Sequence, residues 1–298
     1  MTQAVAIQPA SNVRRPGWRG WGLFVPMIAW LALFVVAPTA ILLVYSFFTG
    51  EGIGEVDTHF TLQNYSRIFT PVYLDLFWRS IVYAGATTIL CALIGYPVAW
   101  YIGRAPAARR SKLLMLVMIP FMTSFLIRTY AWFAILHEHG LLNGFLEAAH
   151  LIPTVFSHPL NILYTPTAVM IALVYTYLPF MVLPIYTSVE KLDPSLIEAA
   201  ADLGAGPTRS FFRVILPLTW PGVAAGILMV FVPAIAMFAV TKIMSGGHIR
   251  LIGDEIQEQF EGGGDLPFGS ALGMALLILF LVTYWISAGR SAKELQGA

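Results

Sequence analysis

The sequence is short of charge. Only 11% of its 298 residues are Asp, Glu, Lys or Arg while 58% are hydrophobic, whereas a soluble domain carries roughly a quarter charged residues. That balance excludes an ordinary water-soluble fold. Cysteine occurs once, at Cys91, so no disulfide can close within the chain, and the redox compartment is left open. Lysine occurs only at Lys112, Lys191, Lys242 and Lys293, and none of them follows a glycine. Because a phosphate-binding loop ends in Gly-Lys-Ser/Thr, this polypeptide is not expected to hydrolyse ATP or to bind a cofactor. A reactive side-chain cluster is missing from the loops as well, so no catalytic residue is assigned. His137 and His139 are two apart, which is wrong for one helical face, and no metal site is assigned either.

What is present is long apolar runs separated by charge clusters. A helix crosses a hydrocarbon layer of roughly 30 Å in about 20 residues. Six runs are that long: Trp21 to Phe48, Trp78 to Gly103, Leu113 to Leu136, Pro166 to Ser188, Leu218 to Val240, and Gly269 to Ser287. The expected fold is an all-α integral membrane protein with six transmembrane helices. Arg14, Arg15 and Arg19 precede the first run as in a secretory signal, but the run is too long for one and lacks a cleavage site, so it is expected to remain as a span. The expected organisation is a tail over 1–20, an accessory span over 21–49, an outer loop over 50–77, a core over 78–289 and a tail over 290–298.

Orientation follows from the basic residues, which favour cytoplasmic loops. With the N-terminus inside, the inner segments hold Arg14, Arg15, Arg19, Arg104, Arg109, Arg110, Lys112, Lys191, Arg209, Arg213, Arg290 and Lys293, out of 17 Lys and Arg in all. Both termini are therefore expected to be cytoplasmic. No span carries an Asp, Glu or His that would serve as the proton relay of a gradient-driven carrier. Arg128 is the one charge placed deep inside a run, Arg79 falling at the outer edge of the second. A secondary transporter remains the rival class, and the paired interrupted segments typical of sodium-coupled folds are not evident. If the chain pumps, a partner must deliver the work through a cytoplasmic contact.

The longest cytoplasmic connection, from Glu190 to Pro217, is laid out as two short helices and a turn. Asp193 or Ser195 can cap the first helix, Pro194 suits its first position, and Glu198 is close enough to reach back to an unpaired amide. Leu196, Ile197, Ala200 and Leu203 form one apolar face. Gly204 and Gly206 end the helix, and Pro207 prevents its return. Within this loop Glu198-Ala199-Ala200, Gly204 and Leu216-Pro217 resemble the EAA loop of permease subunits in binding-protein-dependent ABC importers; Val214 stands where that motif usually carries Ile. Without that resemblance, an Ala-rich amphipathic helix lying on the membrane surface would account for the segment.

The resemblance implies the type I permease fold of ABC importers in a bacterial inner membrane. It implies an ATPase-coupling surface of Glu198, Ala199, Ala200, Asp202, Gly204, Leu216 and Pro217, with small side chains that let a partner approach the backbone. The implied partners are an ABC ATPase homodimer that uses ATP and Mg2+, a second homologous permease, a periplasmic substrate-binding protein and the lipid bilayer. No nucleic acid is expected. Further stretches, among them Pro120-Phe-Met-Thr-Ser-Phe-Leu-Ile-Arg-Thr-Tyr-Ala-Trp132, Gly140-Leu-Leu-Asn143 and Leu251-Ile-Gly-Asp-Glu-Ile-Gln-Glu-Gln-Phe260, resemble the spermidine/putrescine-type branch. That branch also takes other small cargo, such as opines, amino-acid derivatives, phosphonates and ferric ion.

Acidic residues predominate in the outer segments, which raises the local concentration of cations. Candidate pathway residues are Arg128, Tyr130, Trp132, Glu138, Tyr175, Tyr177, Asp254 and Glu258. Aromatic rings can hold an amine by cation–π contact, or they can be packing residues and interface anchors. Arg128 either pairs with backbone carbonyls or an outer carboxylate such as Glu138, or takes part in gating. Asp254 and Glu258 are four apart and share a helical face, either to meet cargo or the binding protein or as a solvated loop between Gly246-Gly247 and Gly262-Gly263-Gly264.

Overall fold

A computed structural model describes residues 18–52, 55–150, 159–261 and 264–296. Arg14, Arg15, Gly262 and Gly263 lie outside the described residues. The first span is α1 (Trp18–Leu31), a wide π-helical turn over Ala32–Val36, and α2 (Ala37–Tyr45). A short antiparallel pair follows, β1 (Thr49–Gly52) and β2 (Glu55–Asp57), with Thr49 opposite Asp57. Then come α3 (Gln63–Ile68), α4 (Pro71–Arg104), α5 (Ala107–Met122), α6 (Phe125–Leu136), α7 (Leu141–Ala148) and α8 (Pro166–Glu190). The hairpin region holds α9 (Pro194–Asp202), α10 (Pro207–Ser210) and a second π turn over Phe211–Ile215, which runs directly into α11 (Leu216–Ile235). The chain continues through α12 (Ala239–Ser245), α13 (Ile252–Glu261) and α14 (Leu266–Gln296).

Both π turns hold the residue four before a proline, Phe34 before Pro38 and Arg213 before Pro217. A proline ring collides with the carbonyl four residues back and offers it no N–H. The turn widens instead of breaking.

Among the described residues, five helical stretches are long and apolar enough to cross a membrane. The third expected span, Leu113 to Leu136, is not one continuous helix. It is α5 followed by α6, bent by 88° at Thr123-Ser124, and it supplies the sixth crossing if the bent pair spans as one. Thr123 and Ser124 both adopt extended ψ values of 155° and 134°. The Thr123 hydroxyl donates to the Pro120 carbonyl at 2.7 Å, taking an acceptor that a continuing helix would have used.

The core is built around α8, which packs against α4 on one side and α11 on the other. Ala172, Met181, Val182 and Ile185 of α8 are fully enclosed. Cys91 of α4 donates to the Val174 carbonyl of α8 at 3.6 Å, and Tyr177 of α8 donates to the Pro233 carbonyl of α11 at 3.1 Å. In α11, a Cβ on Gly222 would overlap the Pro184 carbonyl and the Ser188 hydroxyl of α8. Only glycine permits that approach. The first span is different, since Phe24, Trp30, Leu33 and Val36 are all exposed and α2 leans chiefly on α14. A helix apolar on every side and unburied by protein belongs against lipid.

Buried amides pin the connections at the end of the molecule away from the hairpin. Asn143, only 5% exposed, donates to the Glu138 and Leu160 carbonyls at 2.9 Å each and accepts from the Leu160 N–H at 2.8 Å. Asn64 does the same for the end of the first span, donating to the carbonyls of Ser46 and Phe48 at 3.1 and 2.7 Å.

Candidate functional site

The hairpin begins where α8 ends at Glu190. Asp193 caps α9 by accepting from the Ser195 N–H at 3.0 Å, and that backbone bond holds the carboxyl below the usual carboxylate range. The described cap is Asp193 alone, without a reciprocal bond from Glu198. At the far end the Ala205 N–H bonds to the Ala200 carbonyl at 3.0 Å and the Gly204 N–H to the Ala201 carbonyl at 2.9 Å, with Gly204 at φ +78°. This is the paired terminator that requires a left-handed residue just past the helix. It reverses the chain within two residues.

The structure redistributes the expected apolar face. Ala200 turns inward and Ile197 is half-buried, but Leu203 is the C-cap, outside the regular helix, and is 89% exposed. The helical wheel no longer applies to a residue whose backbone has left the helix. Glu198, Ala199 and Asp202 are exposed on the same short helix. Beside them lies a cleft of about 270 Å³ lined by Ala200, Leu203, Ala205, Arg209, Arg213 and Val214. The arrangement offers a partner a small-residue helix, a projecting leucine and two basic side chains.

The root of the hairpin is fixed to the spans. Tyr96 of α4 shares a 2.8 Å hydrogen bond with the Thr219 hydroxyl of α11, and its ring meets Phe211 edge-on at 5.3 Å. Thr219 in turn donates to the Ile215 carbonyl at 2.8 Å. Leu216 is half-buried beside Tyr96 in an apolar groove, and Pro217 sets the π turn described above.

By sequence, Arg110 is only one of the basic residues expected on the inner side. In the structure it joins three spans: its guanidinium bonds the Glu190 carboxylate at 2.5 Å and the Gly103 and Ala105 carbonyls at 3.1 and 3.4 Å. The local signal was a cation near the C-terminal end of α4, where such charges favour unpaired carbonyls. Its partner 80 positions away had no signal at all.

The expected pathway residues do not converge on one spot. Arg128, 8% exposed, donates to the Pro120 carbonyl at 3.3 Å and lies 5.1 Å from the Phe121 ring centre. It thereby straddles the break between α5 and α6 and serves the free carbonyl end of α5. Glu138 is exposed, and its backbone carbonyl is held by Asn143. Trp132 and Tyr175 come together edge-on with centres 5.4 Å apart. Tyr130 faces outward, while Tyr177 is enclosed and spends its hydroxyl on Pro233.

Asp254 and Glu258 are one turn apart on α13 but are employed differently. Glu258 lies 3.6 Å from Arg250, which also approaches Glu255 at 4.0 Å. Asp254 accepts from the Leu251 N–H at 2.9 Å, closing the first turn of α13, and its other oxygen is buried without a hydrogen-bond partner among the described residues. Burial is the largest effect on this carboxyl and raises it from the ordinary 3.8 to about 6. A raised carboxyl contributes stability that is complete below its unfolded value and is lost as pH rises through the folded one. The Asp254→Asn variant is expected to keep the Leu251 bond and to lose this dependence. Melting curves of parent and variant in detergent should therefore diverge between pH 4 and pH 7, with the variant at least as stable at the upper end.

The geometry can be set beside known proteins. Residues 95–289 match the model of the family described as binding-protein-dependent transport system inner membrane component. The spermidine/putrescine transport system permease protein PotB of Escherichia coli (strain K12) is 42% identical over 277 residues, covering 92% of this chain and 99% of that protein. The inner membrane ABC transporter permease protein YdcU of the same organism is 31% identical over 274 residues, covering 87% of each. Among solved structures, a chain of a bacterial ABC transporter involved in the import of the acidic polysaccharide alginate superposes with a TM-score of 0.71 at 16% identity, covering 93% of this chain and 96% of that one. The family match runs from α4 through the hairpin and into α14. This chain belongs to the family of binding-protein-dependent transport system inner membrane components.

Proposed function

We propose that the chain is one permease subunit of an ATP-driven importer for a polyamine of the spermidine or putrescine type, in a bacterial inner membrane with both termini cytoplasmic. The observation that carries this reading is the 42% identity to a spermidine/putrescine permease over 99% of that protein's length. The hairpin from Glu190 to Pro217 is the ATPase-coupling element, with Glu198, Ala199, Ala200, Asp202 and Gly204 meeting the ATPase and Leu216-Pro217 carrying the motion into α11. A separate ATPase dimer supplies ATP hydrolysis with Mg2+, and a second, related permease completes the channel. A periplasmic binding protein delivers cargo to the outer end. Trp132 and Tyr175 suit a passing amine through their ring faces, while Tyr177 acts in packing. Arg128 shapes the break in the third span.

Gentle purification of the protein from its native membrane tests this directly. The expected result is co-purification of an ATPase and a second permease, and hydrolysis stimulated by spermidine with its binding protein. Hydrolysis stimulated by other small solutes but by no polyamine would remove the cargo assignment. Accumulation of solute against its gradient by the chain reconstituted alone would remove the whole reading.

A further inference from the structure

The hairpin is joined to α8 by a very short link. Glu190 is the last residue of α8, and only Lys191 and Leu192 separate it from the cap of α9. Leu192 is buried and its N–H bonds back to the Val189 carbonyl at 3.2 Å, so the link is held against α8. A displacement of α9 therefore arrives at Glu190 with little slack. Glu190 also sits beside the Tyr186 hydroxyl, one turn back on α8.

From Glu190 the connection passes through one side chain. The Arg110 guanidinium, in the first turn of α5, bonds the Glu190 carboxylate at 2.5 Å with one nitrogen, while the other bonds the Gly103 carbonyl in the last turn of α4 and the carbonyl of its C-cap, Ala105. A planar guanidinium reaches the two groups from separate nitrogens held in a rigid fork, whereas an ammonium has one compact donor centre and fits that spread less well. The pair is partly shielded, with side chains 26% and 38% exposed, and its two ends are 80 positions apart in sequence. Arg110 is thus where α4, α5 and α8 meet at the hairpin end. Beyond it α5 leads to the Thr123-Ser124 break.

Resting on the reading of the hairpin as the coupling element, we propose that Arg110 is a positioning residue that transmits hairpin displacement through Glu190 to α5 and the broken third span. The three helix ends move as one body during transport, and the clasp stays closed throughout the cycle.

The test uses the complete transporter in lipid vesicles, with its ATPase, second permease and binding protein, and reads spermidine taken up per ATP hydrolysed. Glu190→Gln removes the ionic arm to α8 and leaves Arg110 on the α4 carbonyls, so the fold is retained. The expected result is an uptake-to-hydrolysis ratio lowered about fivefold or more, the lower range for a coupling free energy between sites, with binding-protein-stimulated hydrolysis kept. Arg110→Lys is expected to fall between parent and Glu190→Gln. A merely structural role would lower both activities together and leave the ratio unchanged, and that outcome overturns the proposal. In a second variant, Arg110→Cys with Glu190→Cys, closure by a short bis-maleimide should restore the ratio. If the cross-link instead arrests uptake, the clasp is a latch that must open, and the proposal fails. Failure here with Gly204→Asp still inactive would leave the hairpin reading intact, whereas normal uptake by Gly204→Asp would remove the hairpin reading itself.

Discussion

Gly204→Asp is expected to abolish spermidine uptake while the protein still inserts in the membrane. The position is left-handed, at φ +78°, where an ordinary L-residue is disfavoured by about 1–2 kcal/mol. Asp is one of the few side chains that tolerate this conformation through local hydrogen bonding. Among the described residues, no atom beyond its chain neighbours lies within 4 Å of a Cβ built there, so the substitution meets open space. The hairpin should therefore keep its turn, and the loss should arise at the surface the turn presents. A charged side chain at the centre of an interface costs about 2 kcal/mol or more, which is about thirtyfold in binding. Uptake in vesicles should drop by at least that factor, and the ATPase should no longer co-purify. Gly204→Asn separates shape from charge, since it keeps the turn and the bulk but adds no charge. Retained uptake in the Asp variant would sink the docking assignment.

Gly222→Leu should prevent the core from assembling. At this point α11 touches α8 through backbone, and even a methyl group would press on the Pro184 carbonyl and on Ser188. A carbonyl on a packed helix cannot turn aside. Gly222→Ala is expected to cost about 1–3 kcal/mol as an overpacked contact, lowering the thermal midpoint of the purified protein by roughly 2–12 °C. The leucine variant should yield no folded protein on size-exclusion chromatography. Gly226→Ala gives the contrast one turn later, because its nearest neighbour, at 2.6 Å, is the Met181 sulfur at the flexible end of a side chain. It should be the milder of the two alanine variants. Equal midpoints for both would show that the α8–α11 distance is less constrained than the packing indicates.

The helical class, the apolar runs and the hairpin were legible because each depends on residues near one another in sequence. Asp193, Pro194, Gly204 and Pro207 start and stop α9 through bonds spanning at most five positions, and local chemistry fixes those. The third span shows where local reading stops. Leu113 to Leu136 reads as one apolar run, and hydropathy averages over Thr123 and Ser124, whose extended backbone breaks the helix. Leu203 shows the same limit, because a wheel presumes a helix that has already ended there. Asp254 and Glu258 share a face as their spacing requires, yet one closes a helix turn and the other meets Arg250. Spacing gives a direction, and burial decides what occupies it.

Taken by itself, the sequence determined that this chain lives in a membrane, that it has no nucleotide loop of its own, and that a small-residue helical hairpin follows its fourth apolar run. Those properties rest on composition and on contacts a few residues long. Only the tertiary structure decided which carbonyls Arg128 and Arg110 serve, that Tyr177 closes α11, and that Gly222 lies against the α8 backbone. Such contacts join residues up to 80 positions apart, and whether they form depends on where the helices pack, which no local pattern specifies.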